Sequence, residues 1–123
     1  MKKPSSLILI VDDSKDNQSL LKILLNSHGH QVYCVSNGKE AICLLQELDI
    51  LPDLILLDAQ MPIMDGYQFR LQQKINARIR DIPVVVMTAD DHQDMNERMN
   101  FPSGVLLKPL NLKLVIDTVS AHC

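Results

Sequence analysis

Tryptophan is absent from the sequence, and aromatic residues are scarce, with two tyrosines and two phenylalanines among 123 residues. Hydrophobic residues nevertheless make up 46% of the chain, so the interior must be built from aliphatic side chains. A chain of this length is typical of one domain and can bury a core without disulfides or a structural metal. We therefore expect a single domain over residues 1–123, with its core between about residues 7 and 119.

Long hydrophobic runs and a basic excess are also missing. The longest apolar run, Leu7–Val11, has five residues, whereas a membrane-spanning helix needs roughly 20, and no signal peptide is evident. The formal net charge is −3, whereas surfaces that bind nucleic acids are normally basic. We expect neither a membrane nor a nucleic acid as a partner.

Cysteine is sparse and irregularly placed. The three cysteines, Cys34, Cys43 and Cys123, are not spaced like metal ligands. An odd number in a chain without an export signal is typical of free thiols in a reducing compartment. These features predict a cytoplasmic protein in which Cys34 and Cys43 are small buried or half-buried residues.

Five short apolar runs recur along the chain, and each gap between them is long enough for one helix. The runs are Leu7–Val11, Gln31–Val35, Leu54–Leu57, Pro83–Met87 and Val105–Leu107. Alternation of this kind predicts an α/β fold whose parallel strands are buried on both faces and covered by helices on both sides.

Three segments have an apolar stripe at helical spacing. They are Ser14–His28, Gly38–Leu48 and Asn111–His122. Ser14 and Asn37 are suited to cap the first two helices, and Gly29 to end the first.

Two further segments have weaker helical patterns. Gly66–Asn76 should be a helix, although its apolar residues do not form one stripe. Farther along, about two helical turns fit around Asp94–Phe101, and Pro102 should end them.

Polar residues stand at or just after the ends of four of the five runs. They are Asp12 and Asp13 after the first run, Asp58 after the third, Thr88 after the fourth and Lys108 after the fifth. Because ligands of parallel α/β sheets bind outside the carboxyl ends of the strands, these side chains are expected at one edge. Three adjacent carboxylates repel one another unless a cation is present, and Mg²⁺ prefers oxygen ligands. An aspartate is a competent nucleophile toward a phosphoryl group, whose charge an ammonium and a hydroxyl can stabilise.

Each of these residues has a simpler explanation when it is taken alone. An aspartate after a strand is more often a turn residue or a helix cap. The pair Asp12 and Asp13 also fits a charge pair at the start of a helix, and Lys108 fits a solvated surface lysine. The interpretation as a phosphoryl-transfer site therefore depends on their occurring together at successive strand ends.

Five segments of the sequence resemble the response-regulator receiver family. They are Ile10-Val11-Asp12-Asp13-Ser14, Asp53-Leu54-Ile55-Leu56-Leu57-Asp58, Met61-Pro62-Ile63-Met64-Asp65-Gly66, Met87-Thr88-Ala89 and Leu107-Lys108-Pro109. The similarity extends from Leu7 to about Val119. It implies a flavodoxin-like three-layer sandwich with a five-stranded parallel sheet in the order 2-1-3-4-5.

The resemblance also implies a function and its acceptor residue. Asp58 would accept a phosphoryl group from a histidine kinase or a histidine phosphotransfer protein, and the domain would catalyse only its own phosphorylation and dephosphorylation. Thr88 would be the switch hydroxyl, and Lys108 would pair with the phosphate.

A magnesium site is implied by the same resemblance. Asp13 and Asp58 would bind Mg²⁺ directly, together with the backbone carbonyl of Gln60, and Asp12 would act through a metal-bound water. Asp65 is expected to cap a helix rather than to bind the metal.

Two departures from the family concern signal output. The family usually has tyrosine or phenylalanine three residues before the lysine, where this chain has Val105, and the stretch from Thr88 to Lys108 is slightly short. Because valine is stiff and too short to swing between two poses, we expect a phosphate-driven change to pass through residues 89–101.

Two other functions were weighed against a phosphoacceptor. A receiver-fold interaction module that works without phosphate is disfavoured, because all five site residues are retained. A phosphatase with an aspartate nucleophile would need a second acid two residues after Asp58, where the chain has Gln60. With no output domain after Val119, the sequence fits both a single-domain regulator or relay intermediate and a receiver from a hybrid kinase or longer regulator. It does not specify an oligomeric state.

Overall fold

A computed structural model describes residues 6–89 and 95–123, without the side chain of Met95. In this part of the chain, five strands alternate with five helices. The strands are β1 (Leu7–Val11), β2 (Gln31–Val35), β3 (Leu54–Asp58), β4 (Val84–Thr88) and β5 (Gly104–Leu107). The helices are α1 (Lys15–Ser27), α2 (Gly38–Glu47), α3 (Gly66–Lys74), α4 (Met95–Arg98) and α5 (Leu112–His122).

The strands form one parallel sheet in the order β2-β1-β3-β4-β5. Because alternate side chains of a strand point to opposite faces, two separate cores result. One core joins the sheet to α2 and α3 through residues such as Ala41, Leu45 and Phe69. The other joins it to α1 and α5 through residues such as Leu21 and Val115. The predicted three-layer flavodoxin-like architecture and strand order are confirmed.

Burial differs between the centre and the edges of the sheet. Strands β3 and β4 are buried along their whole length, and β1 is buried except at Leu7. The expectation that every strand is buried on both faces is wrong for the edge strands. Tyr33 of β2 and Val105 and Leu107 of β5 are exposed.

The helix starts follow the predicted capping residues. The side chain of Ser14 accepts a hydrogen bond from the backbone N–H of Asn17, and that of Asn37 accepts one from Glu40. Gly29 follows the end of α1 with a φ of 87°, a conformation that suits glycine. These caps fix where α1 and α2 leave the carboxyl edge of the sheet.

Helix α3 lies in the predicted segment and explains why its apolar residues form no stripe. Its inward positions include the polar residues Arg70 and Gln73 beside Phe69, whereas Leu71 is 58% exposed. Hydrophobic periodicity alone therefore could not define its buried face.

Helix α4 ends earlier than predicted. Its described part is one turn that ends at Arg98, so the expectation that the helix extends to Phe101 is wrong, whereas its predicted start at Asp94 lies outside the described residues. Asn100 and Phe101 have φ values of 56° and 54°, which turns the backbone away before Pro102.

The cysteines are free, as predicted. Cys34 is half-buried, but Cys43 is exposed on α2, so the expectation for Cys43 is wrong. Among the described helices, none is both long enough and apolar enough to cross a membrane.

Candidate functional site

The carboxyl ends of the strands bring three predicted aspartates together. Asp12, directly after β1, is fully buried, and Asp58, the last residue of β3, is 5% exposed. Asp13 is exposed beside them. Carboxylate oxygens of Asp12, Asp13 and Asp58 all lie within 4.8 Å of one another. The cluster combines two buried carboxylates with one that faces solvent.

Lys108 places a positive charge at this cluster. Its Nζ lies 3.3 Å from Oδ1 of Asp58 and 3.9 Å from Oδ2 of Asp12. The backbone N–H of Lys108 donates to the carbonyl of Thr88 across 2.8 Å, and its peptide bond to Pro109 is cis. Thr88 ends β4 with its side chain buried. The ends of β4 and β5 are thus tied together next to the acids.

Donors from the start of α1 hold Asp12 in place. Its two carboxylate oxygens accept hydrogen bonds from the backbone N–H of Ser14 and the side-chain amide of Asn17. Gln18 is buried, and its amide donates to the backbone carbonyls of Asp12 and Val35. Sequence reasoning missed Asn17 and Gln18, because a polar residue within a helix carries no signal of an inward role.

The environment of Asp58 is unfavourable to its charge. Burial and the neighbouring carboxylate of Asp12 raise the pKa of Asp58 from 3.8 to about 6, although Lys108 and the backbone N–H of Gln60 oppose the shift. The Gln60 N–H lies 3.3 Å from Oδ1 of Asp58. A second cation would stabilise the ionised form of Asp58, because it would reduce the repulsion between the carboxylates of Asp12 and Asp58.

A cleft of about 400 Å³ opens over these residues. It is lined by Asp13, Asp58, Ala59, Gln60, Thr88, Ala89 and Lys108. A cleft of similar size, about 460 Å³, lies near the start of β1 and β2 and contains none of the predicted site residues. Five of the predicted site residues, Asp13, Asp58, Gln60, Thr88 and Lys108, therefore line the cleft at the carboxyl edge.

The loop from β3 to α3 fits tightly behind the acids. Asp65 caps α3 in a reciprocal capping box with Gln68, which supports its expected role as a cap. At Gly66, a Cβ atom would come within 2.6 Å of the Asp58 carbonyl oxygen. Ile63 has a φ of 70°, which is strained for a β-branched residue, and the Met64 carbonyl accepts from the Gly38 N–H. The loop is thus held in one conformation by contacts on both sides.

Comparison with known proteins identifies this arrangement. The family model of the response regulator receiver domain matches residues 8–120. The chain belongs to the response regulator receiver family.

Two relatives of this receiver domain match it over most of their own length. Protein PilH of Pseudomonas aeruginosa is 33% identical over 117 residues, which cover 93% of this chain and 94% of PilH. The signal receiver domain of a histidine kinase from Syntrophus aciditrophicus is 32% identical, with a TM-score of 0.85 over 95% of this chain and 89% of that one.

A third relative carries a metal. It is the receiver domain of a sensor histidine kinase from Pseudomonas aeruginosa, with a magnesium ion coordinated in its active-site cleft. It is 25% identical to this chain, with a TM-score of 0.84 over 96% of this chain and 97% of that one. In the present chain, Asp12, Asp13 and Asp58 form a cluster of carboxylates, and carboxylate oxygens are hard ligands of the kind that Mg²⁺ prefers.

Proposed function

We propose that this receiver domain is a phosphoacceptor switch in which Asp58 takes a phosphoryl group from a phosphohistidine. The donor would be a histidine kinase or a histidine phosphotransfer protein. The observation that carries the proposal is the pairing of the Asp58 carboxylate with Lys108 at 3.3 Å inside an open acidic cleft. Membership of the family supports the same conclusion.

The transfer requires a nucleophile and neutralisation of charge. A carboxylate oxygen of Asp58 forms the new P–O bond while the P–N bond of the donor breaks, and the electron pair of that bond leaves with the imidazole. Lys108 then balances the negative charge of the phosphoryl oxygens, and the Thr88 hydroxyl donates to one of them. Positioning and electrostatics are the main contributions that such a transfer needs from the protein.

The acidic cluster suits a magnesium cofactor. When bound, Mg²⁺ would neutralise charge on the phosphoryl group and on the carboxylates. Asp13 and Asp58 would hold it with the backbone carbonyl of Gln60, and Asp12 would take part through water. The hydrogen bonds from Ser14 and Asn17 keep Asp12 aimed at the cluster.

The product of this chemistry is a modified protein rather than a released compound. The domain would therefore act as a signalling component, and its only catalysis would be its own phosphorylation and dephosphorylation. Partners would be recognised as proteins that carry a phosphorylated histidine.

Phosphate transfer from acetyl phosphate tests the proposal. Wild-type protein with Mg²⁺ should gain the mass of one phosphoryl group, and hydroxylamine should remove it. The near-isosteric Asp58→Asn variant should gain nothing, whereas Asp65→Asn, which alters a cap in the same loop, should still be labelled. A gain that persists in Asp58→Asn contradicts the assignment of the acceptor. Absence of any gain in the wild type would favour a phosphate-independent interaction module.

A further inference from the structure

Arg70 is a buried cation that has only neutral partners within the described part of the chain. It is 3% exposed, and its guanidinium donates to the backbone carbonyls of Met99 and Asn100 across 2.8 and 2.9 Å. Its third bond goes to the side-chain oxygen of Gln73 across 2.6 Å. Burial lowers the pKa of Arg70, but a guanidinium stays protonated in proteins. A buried charge of this kind is costly unless well-formed hydrogen bonds replace its lost hydration.

Gln73 extends the network to the end of the α3–β4 connection. It is fully buried, and its amide donates to the carbonyls of Ile79 and Ile82 across 2.9 and 3.0 Å. The pair Arg70 and Gln73 therefore ties α3 to two backbone segments that carry no regular structure. A buried network in which each of the three guanidinium nitrogens of Arg70 and both polar atoms of the Gln73 amide have a partner restrains the surrounding backbone.

The backbone of residues 99–101, to which Arg70 donates two hydrogen bonds, is strained. Asn100 and Phe101 both have left-handed backbone conformations, which are unfavourable for residues other than glycine. Phe101 is 71% exposed. Strained backbone of this kind persists only where surrounding contacts hold it in place. The two hydrogen bonds from Arg70 to the carbonyls of Met99 and Asn100 are contacts of this kind.

Met99 connects the same segment to the acceptor. Its side chain is fully buried, and its methyl group lies 3.1 Å from the position that a Cβ of Gly66 would take. That position is also 2.6 Å from the carbonyl oxygen of Asp58 and 3.0 Å from Cα of Ala59. The methyl group of Met99 and the backbone of Asp58 and Ala59 therefore border the same narrow space next to Gly66.

We propose that Arg70 is a positioning residue that couples the state of Asp58 to the Met99–Phe101 segment. The inference rests on the proposed phosphoacceptor function and identifies the route of the response. A shift of the backbone at Asp58 and Ala59 is passed through Gly66, which donates to the Ala59 carbonyl, to the side chain of Met99. The hydrogen bonds of Arg70 then move α3 and the strained segment together. The response reaches the surface at the exposed Phe101, whereas Val105 is too short to report it by a rotamer change.

The test uses beryllofluoride with Mg²⁺ as the phosphoryl mimic and backbone amide chemical shifts as the readout. In the wild type, the mimic should shift amides near Asp58 and also those of residues 99–104. In Arg70→Met, the shifts near Asp58 should remain, and those of residues 99–104 should fall about threefold or more. Arg70→Lys should give the same loss with the charge retained, because one ammonium cannot reach both carbonyls in the geometry of the fork.

A matched control lies on the same seam between α3 and α4. Arg98 stacks its guanidinium 4.5 Å from the centre of the Tyr67 ring and is exposed. Arg98→Met should therefore keep the full response at residues 99–104.

The outcomes separate this inference from the function on which it rests. Full shifts at residues 99–104 in both Arg70 variants would overturn it, as would a wild type that responds near Asp58 but not at residues 99–104. In either case the phosphoacceptor function would stand. If no amide of the wild type responds to the mimic, both proposals fail.

Discussion

At the scale of single residues, Asp58 is held in an environment that opposes its ionisation. It is buried next to Asp12, and only one cation, Lys108, lies within 4 Å of it in the described structure. These surroundings raise the pKa of Asp58 to about 6. The ionised carboxylate, which is the form that binds a metal and attacks a phosphoryl group, is thus maintained at a cost to the stability of the metal-free fold.

This cost predicts a pH dependence for Asp58→Asn. The folded pKa, about 6, lies above the ordinary value of 3.8, so the folded state binds more protons and loses stability as the pH rises between these values. Without metal, the variant should gain stability over the wild type across this range, by on the order of 2 kcal/mol, and keep that advantage above pH 6. Urea unfolding in a chelator at several pH values measures the difference, in which other titrating groups such as His30 cancel. A difference that is constant from pH 4 to 7 would contradict the raised pKa.

A second prediction concerns magnesium and Asp13. Mg²⁺ should raise the melting temperature of the wild type, because a ligand of the folded state stabilises it by mass action, by about 2.7 kcal/mol at 100 times the Kd. Asp13→Ala removes one carboxylate of the cluster and should lose most of this response. Asp16→Ala, in the first turn of α1 and outside the cluster, is the control and should respond like the wild type. Equal responses of all three proteins would exclude Asp13 as a ligand.

The predictable part of the site follows from its position at the strand ends. Asp58, Thr88 and Lys108 stand where apolar runs stop, and parallel strands bring such positions to one edge. Asn17 and Gln18 were not predictable in the same way, because they act through the hydrogen bonds of Asp12 and lie within an amphipathic helix.

At the scale of elements, the start of α3 is the most crowded junction with the site. The Gly66 N–H donates to the carbonyl of Ala59, and Asp65 caps the helix through Gln68. The two atoms nearest to the position of a Cβ at Gly66 belong to the backbone of Asp58 and Ala59, and the third is the methyl group of Met99. The helix can therefore approach the acceptor only with glycine at this position.

Gly66→Ala should consequently destabilise the protein. The added methyl group meets backbone at 2.6 and 3.0 Å, and overpacking of this kind costs about 1–3 kcal/mol. Labelling by acetyl phosphate should slow as well, because the β3–α3 loop must move. Gly104→Ala is the matched control, since its Cβ would meet Val85 at an ordinary 3.6 Å. Equal free energies of unfolding for the two variants would show that the junction is not tight.

The helices also differ in how well the apolar pattern of the sequence predicts them. Helices α1, α2 and α5 have regular apolar stripes, and their structures agree with the prediction. The inward positions of α3 are partly taken by Arg70 and Gln73, which a periodicity argument assigns to solvent. The end of α4 depends on left-handed Asn100 and Phe101, and neither is the glycine that normally signals such a turn.

At the scale of the whole molecule, the two cores meet at the three central strands. Strands β1, β3 and β4 have neighbours on both sides and supply buried residues to both cores. The edge strands β2 and β5 pair on one side only and expose part of their side chains. The site draws its residues from both regions, because Asp58 ends a central strand whereas Lys108 follows an edge strand.

This division predicts the order of amide hydrogen exchange in the metal-free protein. Amides of β1, β3 and β4 should exchange last, at rates near those of global unfolding, because opening them exposes both cores. Amides of β2 and β5 that point away from the sheet should exchange faster, and those of α4 faster still, because a single turn has few internal hydrogen bonds. Exchange monitored by NMR at constant pH measures the order residue by residue. If β5 were as protected as β4, its opening would be coupled to the central sheet. Lys108 would then follow a rigid strand. A movement of residues 99–104 coupled to Arg70 would in that case have to occur while β5 itself stays in place.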